Sequence, residues 1–179
     1  MAEDNIYKNG AYLQNNPTWD ISDSPFKGKE VVDILCRNHI KPETICDVGC
    51  GAGGVLQYLQ EQIPDEINFT GYDVSPQAIE MAKKSENSRL KFLNKDIFEN
   101  PSTSYDVALL LDVFEHVDDY LGFLSKFREV AEYKVFHIPL DIHLSSVFRV
   151  TPIMFARETV GHLHYFNNDT ALATLKYAG

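Results

Sequence analysis

The pattern of hydrophobic and polar positions divides the chain at about residue 23. Residues 1–23 are polar and aromatic and follow neither helical nor strand periodicity, so we expect an N-terminal arm rather than a core element. Such an arm either folds over a bound ligand as a lid or packs on a sheet edge. Residues 24–179 contain the periodic apolar segments and are predicted to form one domain, which opens with a helix capped by Ser24 and with Pro25 as its first residue.

Strand-like and helix-like segments alternate after this first helix. The predicted strands are TICDV, INFTGYD, LKFLN, YDVALLLD and YKVFHIP, and the predicted helices between them are GVLQYLQEQ, SPQAIEMAKKSEN and VDDYLGFLSKFREVAE. This alternation predicts an α/β fold with a doubly wound, mostly parallel sheet and helices on both faces. In such sheets, ligands bind beyond the carboxyl ends of the strands.

The last part of the chain departs from this alternation of strands and helices. Residues 141–166 lie beyond the fifth strand and are rich in aromatic side chains, so we expect either a wall of a binding pocket or a packed helix. A capped helix is then predicted in NNDTALATLKYAG, with an asparagine at its start. No β-rich segment follows this helix.

Composition and charge exclude several classes of partner. The formal net charge is −10, and an acidic surface repels nucleic-acid phosphates and anionic lipids, so we expect neither nucleic acid nor membrane as a partner. The chain opens without a basic and apolar leader, which predicts a cytoplasmic location. The three cysteines, Cys36, Cys46 and Cys50, are interpreted as free thiols, and no metal site is predicted from them.

The segment ICDVGCGAGGVL places glycines between the first strand and the following helix, which is the position of a nucleotide-binding loop. Gly49, Gly51 and Gly54 match the G-x-G-x-x-G pattern of dinucleotide-binding proteins. Gly49, Gly51 and Gly53 equally match the acidic-x-G-x-G-x-G pattern of S-adenosylmethionine-dependent methyltransferases, with Asp47 as the acid. The glycine spacing alone does not separate the two cofactors.

Four acidic residues at successive strand ends favour the second cofactor. Asp47 at the first strand would repel a pyrophosphate, whereas the ammonium and sulfonium groups of S-adenosylmethionine favour nearby negative charge. Asp73, about twenty residues further on, can accept hydrogen bonds from ribose hydroxyls. Asp96 and Asp112 follow the third and fourth strands. A nicotinamide-dependent oxidoreductase remains the alternative.

Four motifs together resemble those of class I S-adenosylmethionine-dependent methyltransferases that act on small molecules. These motifs are DVGCGAGG, GYDVSPQAIEMAK, NKDIF and YDVALLLDVFEHVDD, and the resemblance covers roughly residues 25–140. It implies S-adenosylmethionine as cofactor, S-adenosylhomocysteine as product, and in-line methyl transfer to a small-molecule acceptor. A cofactor-binding protein without catalysis is a further alternative. The implied cofactor-binding residues are Asp47, Gly49, Cys50, Gly51, Gly53, Asp73, Val74, Asp96, Ile97, Asp112 and Val113.

Histidines beyond the fourth and fifth strands are candidate catalytic residues. A general base is needed only where the acceptor must lose a proton, and histidine titrates near neutral pH. We expect one or two of the five to face the acceptor, while structural hydrogen bonds explain the others. A metal held by the last two is disfavoured. The candidates are His116, His137, His143, His162 and His164.

The resembling fold has seven strands, the last two forming an antiparallel pair beside the fifth. Because this chain offers no β-rich segment after its fifth strand, we expect those two strands to be lacking. The fifth strand would then lie at an open sheet edge, which favours pairing with a second copy and predicts a possible homodimer.

Overall fold

The computed structural model describes residues 11–19, 21–63, 66–99, 104–149 and 151–179. Residues 1–10 and 20 of the predicted N-terminal arm therefore lie outside the described residues. The helices are α1 (Ala11–Asn15), α2 (Ser24–Arg37), α3 (Gly54–Gln62), α4 (Pro76–Ala82), α5 (Tyr120–Phe127), α6 (Leu144–Phe148), α7 (Thr151–Thr159) and α8 (Asn168–Ala178). The strands are β1 (Thr44–Val48), β2 (Asn68–Asp73), β3 (Leu90–Asn94), β4 (Tyr105–Leu111) and β5 (Ala131–His137).

The five strands form one parallel sheet in the order β3-β2-β1-β4-β5. The chain runs outward from β1 to β3 and then crosses back to β4, so the strand order reverses between β1 and β4. At the end of β1, Val48 pairs with Tyr72 on one side and Leu110 on the other. A reversal of this kind opens a crevice at the carboxyl edge of the sheet. The predicted α/β fold and its five strands are confirmed.

Side chains of the central strands alternate between two apolar cores. In β4, Val107, Leu109 and Leu111 face the core built with α2, α3 and α4. Ala108 and Leu110 face the opposite core, which contains residues of α5 and α8. Because both faces of β4 are covered, its apolar run has no solvated side. The predicted placement of helices on both faces is confirmed.

Several predicted boundaries differ from the structure. The described part of the arm contains the short helix α1 and a 3₁₀ turn, which the lack of periodicity did not predict. Ser24 is the first residue of α2, and Asp23 occupies the cap position without a side-chain bond. The predicted fourth helix was too long, because Ala131 and Glu132 already belong to β5. The Asn167 cap of α8 was predicted correctly, since its side chain accepts a hydrogen bond from Thr170 N at 2.8 Å.

The segment between β5 and α8 contains two helices joined by irregular chain. Residues 141–166 contain α6 and α7, and β5 ends the hydrogen-bonded order of the sheet as an edge strand. Within the described ranges the sheet has no sixth or seventh strand. None of the helices in those ranges combines the length and the apolar character that a membrane crossing requires.

Candidate cofactor and acceptor site

The glycine loop between β1 and α3 packs against the segment that follows β4. Gly49 and Gly53 adopt φ values of +77° and +80°, in the left-handed region that favours glycine. A Cβ at Gly49 would lie 2.5 Å from Val113 Cγ2, so a side chain does not fit there. The amide of Gly51 donates a hydrogen bond to Asp73 Oδ2 at 2.9 Å. The loop is thereby tied to the ends of both β2 and β4.

A cavity of about 380 Å³ opens at the carboxyl ends of β1, β2 and β4, next to this loop. The structure brings most of the predicted cofactor residues to its wall, together with two of the predicted histidines. The predicted residues that line it are Asp47, Gly49, Cys50, Gly51, Asp73, Val74, Asp112, Val113, His116 and His162.

Two carboxylates at this cavity are almost fully buried. Asp47 is 2% exposed, and its Oδ1 accepts no hydrogen bond from the described residues. Its burial and the nearby Asp73 raise the pKa of Asp47 to about 7. Burial also raises the pKa of Asp73, although hydrogen bonds donated by Ser75 N and Gly51 N oppose that rise. A cation in this cavity would therefore find carboxylates with few competing partners.

Asp112 differs from these two because its charge is compensated. It lies just beyond β4 with φ of +57°. Lys27 Nζ lies 2.6 Å from Asp112 Oδ2, and His137 Nδ1 donates to Asp112 Oδ1 at 2.6 Å. Burial would raise the pKa of Asp112, but the hydrogen bonds from His137 and Lys27 outweigh it and lower the pKa. Asp112 is therefore the carboxylate at this cavity that these contacts keep ionised.

Three predicted cofactor residues do not line the cavity. Gly53 sits against the ring of Phe92, where a Cβ would overlap it. Asp96 is exposed and accepts a hydrogen bond from Phe98 N at 3.0 Å, which stabilises the turn after β3. Ile97 is 5% exposed and packs in the core on the α5 side of the sheet. The adenine contacts expected of Asp96 and Ile97 remain a prediction.

Three of the five candidate histidines lie away from the cavity wall. His137 contacts the cavity only through Asp112. His143 is exposed and bonds to Ser145 Oγ at 2.8 Å, near the start of α6. His164 Nε2 donates to Val117 O at 2.9 Å, and its ring packs 4.3 Å from that of Tyr120. The rings of His162 and His164 contact different partners, that of His162 the ring of His116 and that of His164 the ring of Tyr120.

The other two histidines meet at the cavity beside a buried acid. Their ring centres are 4.9 Å apart, and His162 Nδ1 donates to Asp141 Oδ2 at 2.7 Å. Burial lowers the pKa of His116 to about 4. Burial likewise raises the pKa of the neighbouring Glu115 to about 8. These side chains form a second polar group at the cavity, separate from the aspartates near the glycine loop.

The described part of the arm also reaches the cavity. Tyr12 and Trp19 line it, with ring centres 4.7 Å apart. A Cβ built at Gly51 would lie 3.7 Å from the ring of Trp19, so this ring covers the glycine loop. An aromatic wall therefore faces the buried carboxylates across the cavity.

Sequence reasoning missed three polar residues of this region. Lys27 lies one helical turn before Val31 on α2, a spacing that indicated only an amphipathic helix. Glu115 lies in the 3₁₀ turn after β4 and lacks any local pattern that indicates burial. Asp141 is 21 positions from its partner His162. Lys27 and Asp141 contact residues that are distant in sequence, and local patterns do not reveal such contacts. For Glu115, the one available signal was its position next to the candidate His116.

The fold and the glycine loop define a Rossmann-like domain, a class in which nucleoside cofactors bind at the reversal of the strand order. A methyltransferase domain family matches residues 46–132, which include the glycine loop, β2, β3, β4 and α5. Over these residues the chain matches the methyltransferase domain that the four motifs indicated.

Known methyltransferases match the chain over different lengths. It is 33% identical over 100 residues to the mitochondrial ubiquinone biosynthesis O-methyltransferase of Schizosaccharomyces pombe, a match that covers 52% of this chain and 35% of that protein. The chain thus spans about a third of the length of that relative. It is 24% identical over 143 residues to an aklanonic acid methyltransferase of Streptomyces, covering 73% of this chain and 64% of that protein.

A solved structure shows the same fold at low identity. The magnesium protoporphyrin IX methyltransferase of Synechocystis, with bound S-adenosylhomocysteine, has a TM-score of 0.63 and 16% identity. The comparison covers 87% of this chain and 72% of that one. It supports the parallel sheet and its helices, and none of these matches favours the nicotinamide alternative.

Proposed function

We propose that the chain binds S-adenosylmethionine and transfers its methyl group to a small-molecule acceptor, leaving S-adenosylhomocysteine. The observation that carries this proposal is the convergence of Asp47, Asp73 and Asp112 on one cavity beside the glycine loop. A cofactor with an ammonium and a sulfonium group suits such a cavity, whereas a pyrophosphate would be repelled. The match of residues 46–132 to a methyltransferase domain family supports the same conclusion.

Within this proposal the two buried aspartates hold two different parts of the cofactor. Asp47, at the end of β1, receives the ammonium of the methionine part. Asp73, at the end of β2, accepts the ribose hydroxyls, because each of its oxygens has a further lone pair beyond the one used by the backbone. Gly49 and Gly51 let the backbone approach the cofactor closely. Methyl transfer from a sulfonium then needs mainly that donor and acceptor are held in line.

We further propose that the acceptor occupies the side of the cavity lined by His116 and His162. Residues 141–166 supply His162 and form the acceptor-side segment, while Tyr12 and Trp19 act as a lid over the cofactor. Catalysis by His137, His143 or His164 draws no support from their positions outside the cavity wall. The cytoplasmic location, the absence of nucleic-acid and membrane partners, and the homodimer remain predictions.

Thermal unfolding with and without ligands tests the cofactor. We expect S-adenosylhomocysteine to stabilise the protein and NAD⁺ to have no effect, since a ligand at a hundred times its Kd adds about 2.7 kcal/mol. Asp73→Asn should weaken S-adenosylhomocysteine at least about tenfold in calorimetry, because the ribose loses a charged acceptor. The exposed Asp169→Asn in α8 is the matched control and should bind normally.

Three results would contradict the proposal or part of it. Stabilisation by NAD⁺ instead of S-adenosylhomocysteine would support the oxidoreductase alternative, and unchanged affinity in Asp73→Asn would remove that residue from the site. Binding without any methyl transfer, when S-adenosylmethionine is offered with a panel of hydroxyl, amine and thiol acceptors, would favour the non-catalytic alternative.

A further inference from the structure

The second polar group at the cavity contains three side chains that can each donate one ligand atom. Glu115 and His116 lie in the 3₁₀ turn Phe114–His116 after β4, and His162 lies in the segment that follows α7. Their ligand atoms all lie within 4.8 Å of one another. The backbone fixes this arrangement, because Leu163 N and His164 N both donate to the carbonyl oxygen of Glu115, at 2.8 and 3.1 Å.

Both imidazoles are oriented by a hydrogen bond through Nδ1. His162 Nδ1 donates to the carboxylate of Asp141 at 2.7 Å, and His116 Nδ1 donates to the carbonyl oxygen of Gly161 at 3.1 Å. Since carboxylate and carbonyl oxygens only accept, Nδ1 carries the proton and the Nε2 lone pair points away from these partners. In metal-binding histidines, the ring nitrogen that does not bind the metal makes a hydrogen bond of this type, and this bond orients the ring.

Glu115 adds a carboxylate that the fold buries without compensation. Its side chain is 1% exposed, and neither carboxylate oxygen accepts a hydrogen bond from the residues that the structure describes. Glu115 Oε1 lies 3.8 Å from Nε2 of His116. A buried acid in this condition is costly unless a cation approaches it, so its position is an independent sign of a missing positive partner.

We infer that Glu115, His116 and His162 bind a divalent transition-metal ion of the zinc type. Two histidines and one glutamate form a donor set known for zinc sites that keep an open position. Because His116 and His162 line the cavity, this open position faces the proposed acceptor side. Ligands of one zinc ion lie about 3.4 Å apart, from bonds of about 2.1 Å at tetrahedral angles, so side-chain shifts of about 1 Å complete the site.

The charge and the donor types favour zinc over the harder cations. Magnesium and calcium prefer six or more oxygen ligands, whereas imidazole nitrogens favour zinc and its transition-metal neighbours. Glu115 and Asp141 together supply two negative charges for a divalent ion. This inference departs from the expectation of no metal, which considered Cys46 with Cys50 and His162 with His164 but not Glu115. It does not depend on the proposed methyl transfer.

Metal binding by the chain is measured directly, without activity. The protein is treated with a chelator and dialysed, and zinc binding is followed by calorimetry and by metal analysis. We expect one ion per chain, and a visible absorption spectrum of tetrahedral Co²⁺ when cobalt replaces zinc. His162→Gln and Glu115→Gln should each weaken binding more than about tenfold. Asp141→Asn should weaken it about 10- to 100-fold through the orientation of His162.

His143→Gln is the matched control, because His143 is exposed and outside the cavity, and it should bind zinc as the wild type does. Thermal unfolding of the wild type with zinc and with magnesium needs no variant, so it remains decisive where a substitution unfolds the chain. Zinc should raise the unfolding temperature and magnesium should not. Absence of zinc binding, or equal binding by the wild type, His162→Gln and Glu115→Gln, would overturn the inference. Failure of S-adenosylhomocysteine binding would contradict only the proposed function.

Discussion

Asp47 combines burial, an unpartnered oxygen and a raised pKa at the cavity. Its Oδ1 has no hydrogen-bond partner among the described residues, and its pKa is raised to about 7. In the proposed complex an ammonium group lies beside this carboxylate and favours its ionised form. Cofactor binding should therefore be linked to the loss of one proton.

This linkage predicts a pH-dependent affinity. Below pH 7 the free protein holds a proton on Asp47 that binding must release, so the Kd for S-adenosylhomocysteine should fall about tenfold for each unit that pH rises toward 7. Above pH 7 the dependence should flatten. Calorimetry from pH 5.5 to 8.5 measures it. Asp47→Asn has no such proton, and a slope that persists in this variant would assign the titration to another group.

At the scale of elements, the glycine loop packs closely against the turn after β4. Gly49 has a positive φ and lies against Val113, so an alanine there meets two obstacles: backbone strain of about 1–2 kcal/mol and contact with the valine. Urea unfolding should show Gly49→Ala as less stable than wild type by more than the strain alone.

A second substitution separates these two causes. In the Gly49→Ala background, Val113→Ala removes the clashing methyl groups and should recover part of the lost stability, leaving the strain. Val113→Ala alone should destabilise the protein, since it removes packed methyl groups. The two changes are then strongly non-additive. Additive effects would show that the loop moves away from Val113 without cost.

The elements that carry the cofactor site were predictable, whereas the second polar group was not. Asp47 and Asp73 lie at or next to the ends of strands whose apolar runs are visible over a few residues, so local patterns predicted these positions in the sheet. In the sequence FEHV, Glu115 has no feature that predicts burial. Its burial depends on the segment around His162, 47 positions later. Asp141 was likewise unpredictable, since its histidine partner lies beyond two intervening helices.

At the scale of the whole molecule, β5 is an edge strand with alternating charges. Glu132 and Lys134 flank Tyr133, which is 43% exposed. An antiparallel two-fold pairing centred on Tyr133 would place Glu132 opposite Lys134 of a second copy, which favours association. The edge of the sheet thus has the charge pattern that the expected homodimer requires.

Light scattering coupled to size-exclusion chromatography tests this association. We expect a dimer for the wild type and a shift toward monomer for Tyr133→Lys. In that variant, the introduced lysine and Lys134 of both copies, four lysines in all, would meet near the two-fold axis. Tyr177→Lys, at an exposed position of α8, is the control and should leave the dimer intact. A wild-type monomer over a wide concentration range would rule out the pairing.

The position of β1 between β2 and β4 has a consequence for synthesis on the ribosome. Asp106 at the start of β4 accepts hydrogen bonds from the backbone and hydroxyl of Thr44, 62 positions earlier. At about 5–20 residues per second, β1 is synthesised about 3–12 s before this partner. During that interval the edge of β1 that later pairs with β4 has no partner strand. Unpaired strand edges favour aggregation, so we expect protection of this edge to matter during synthesis.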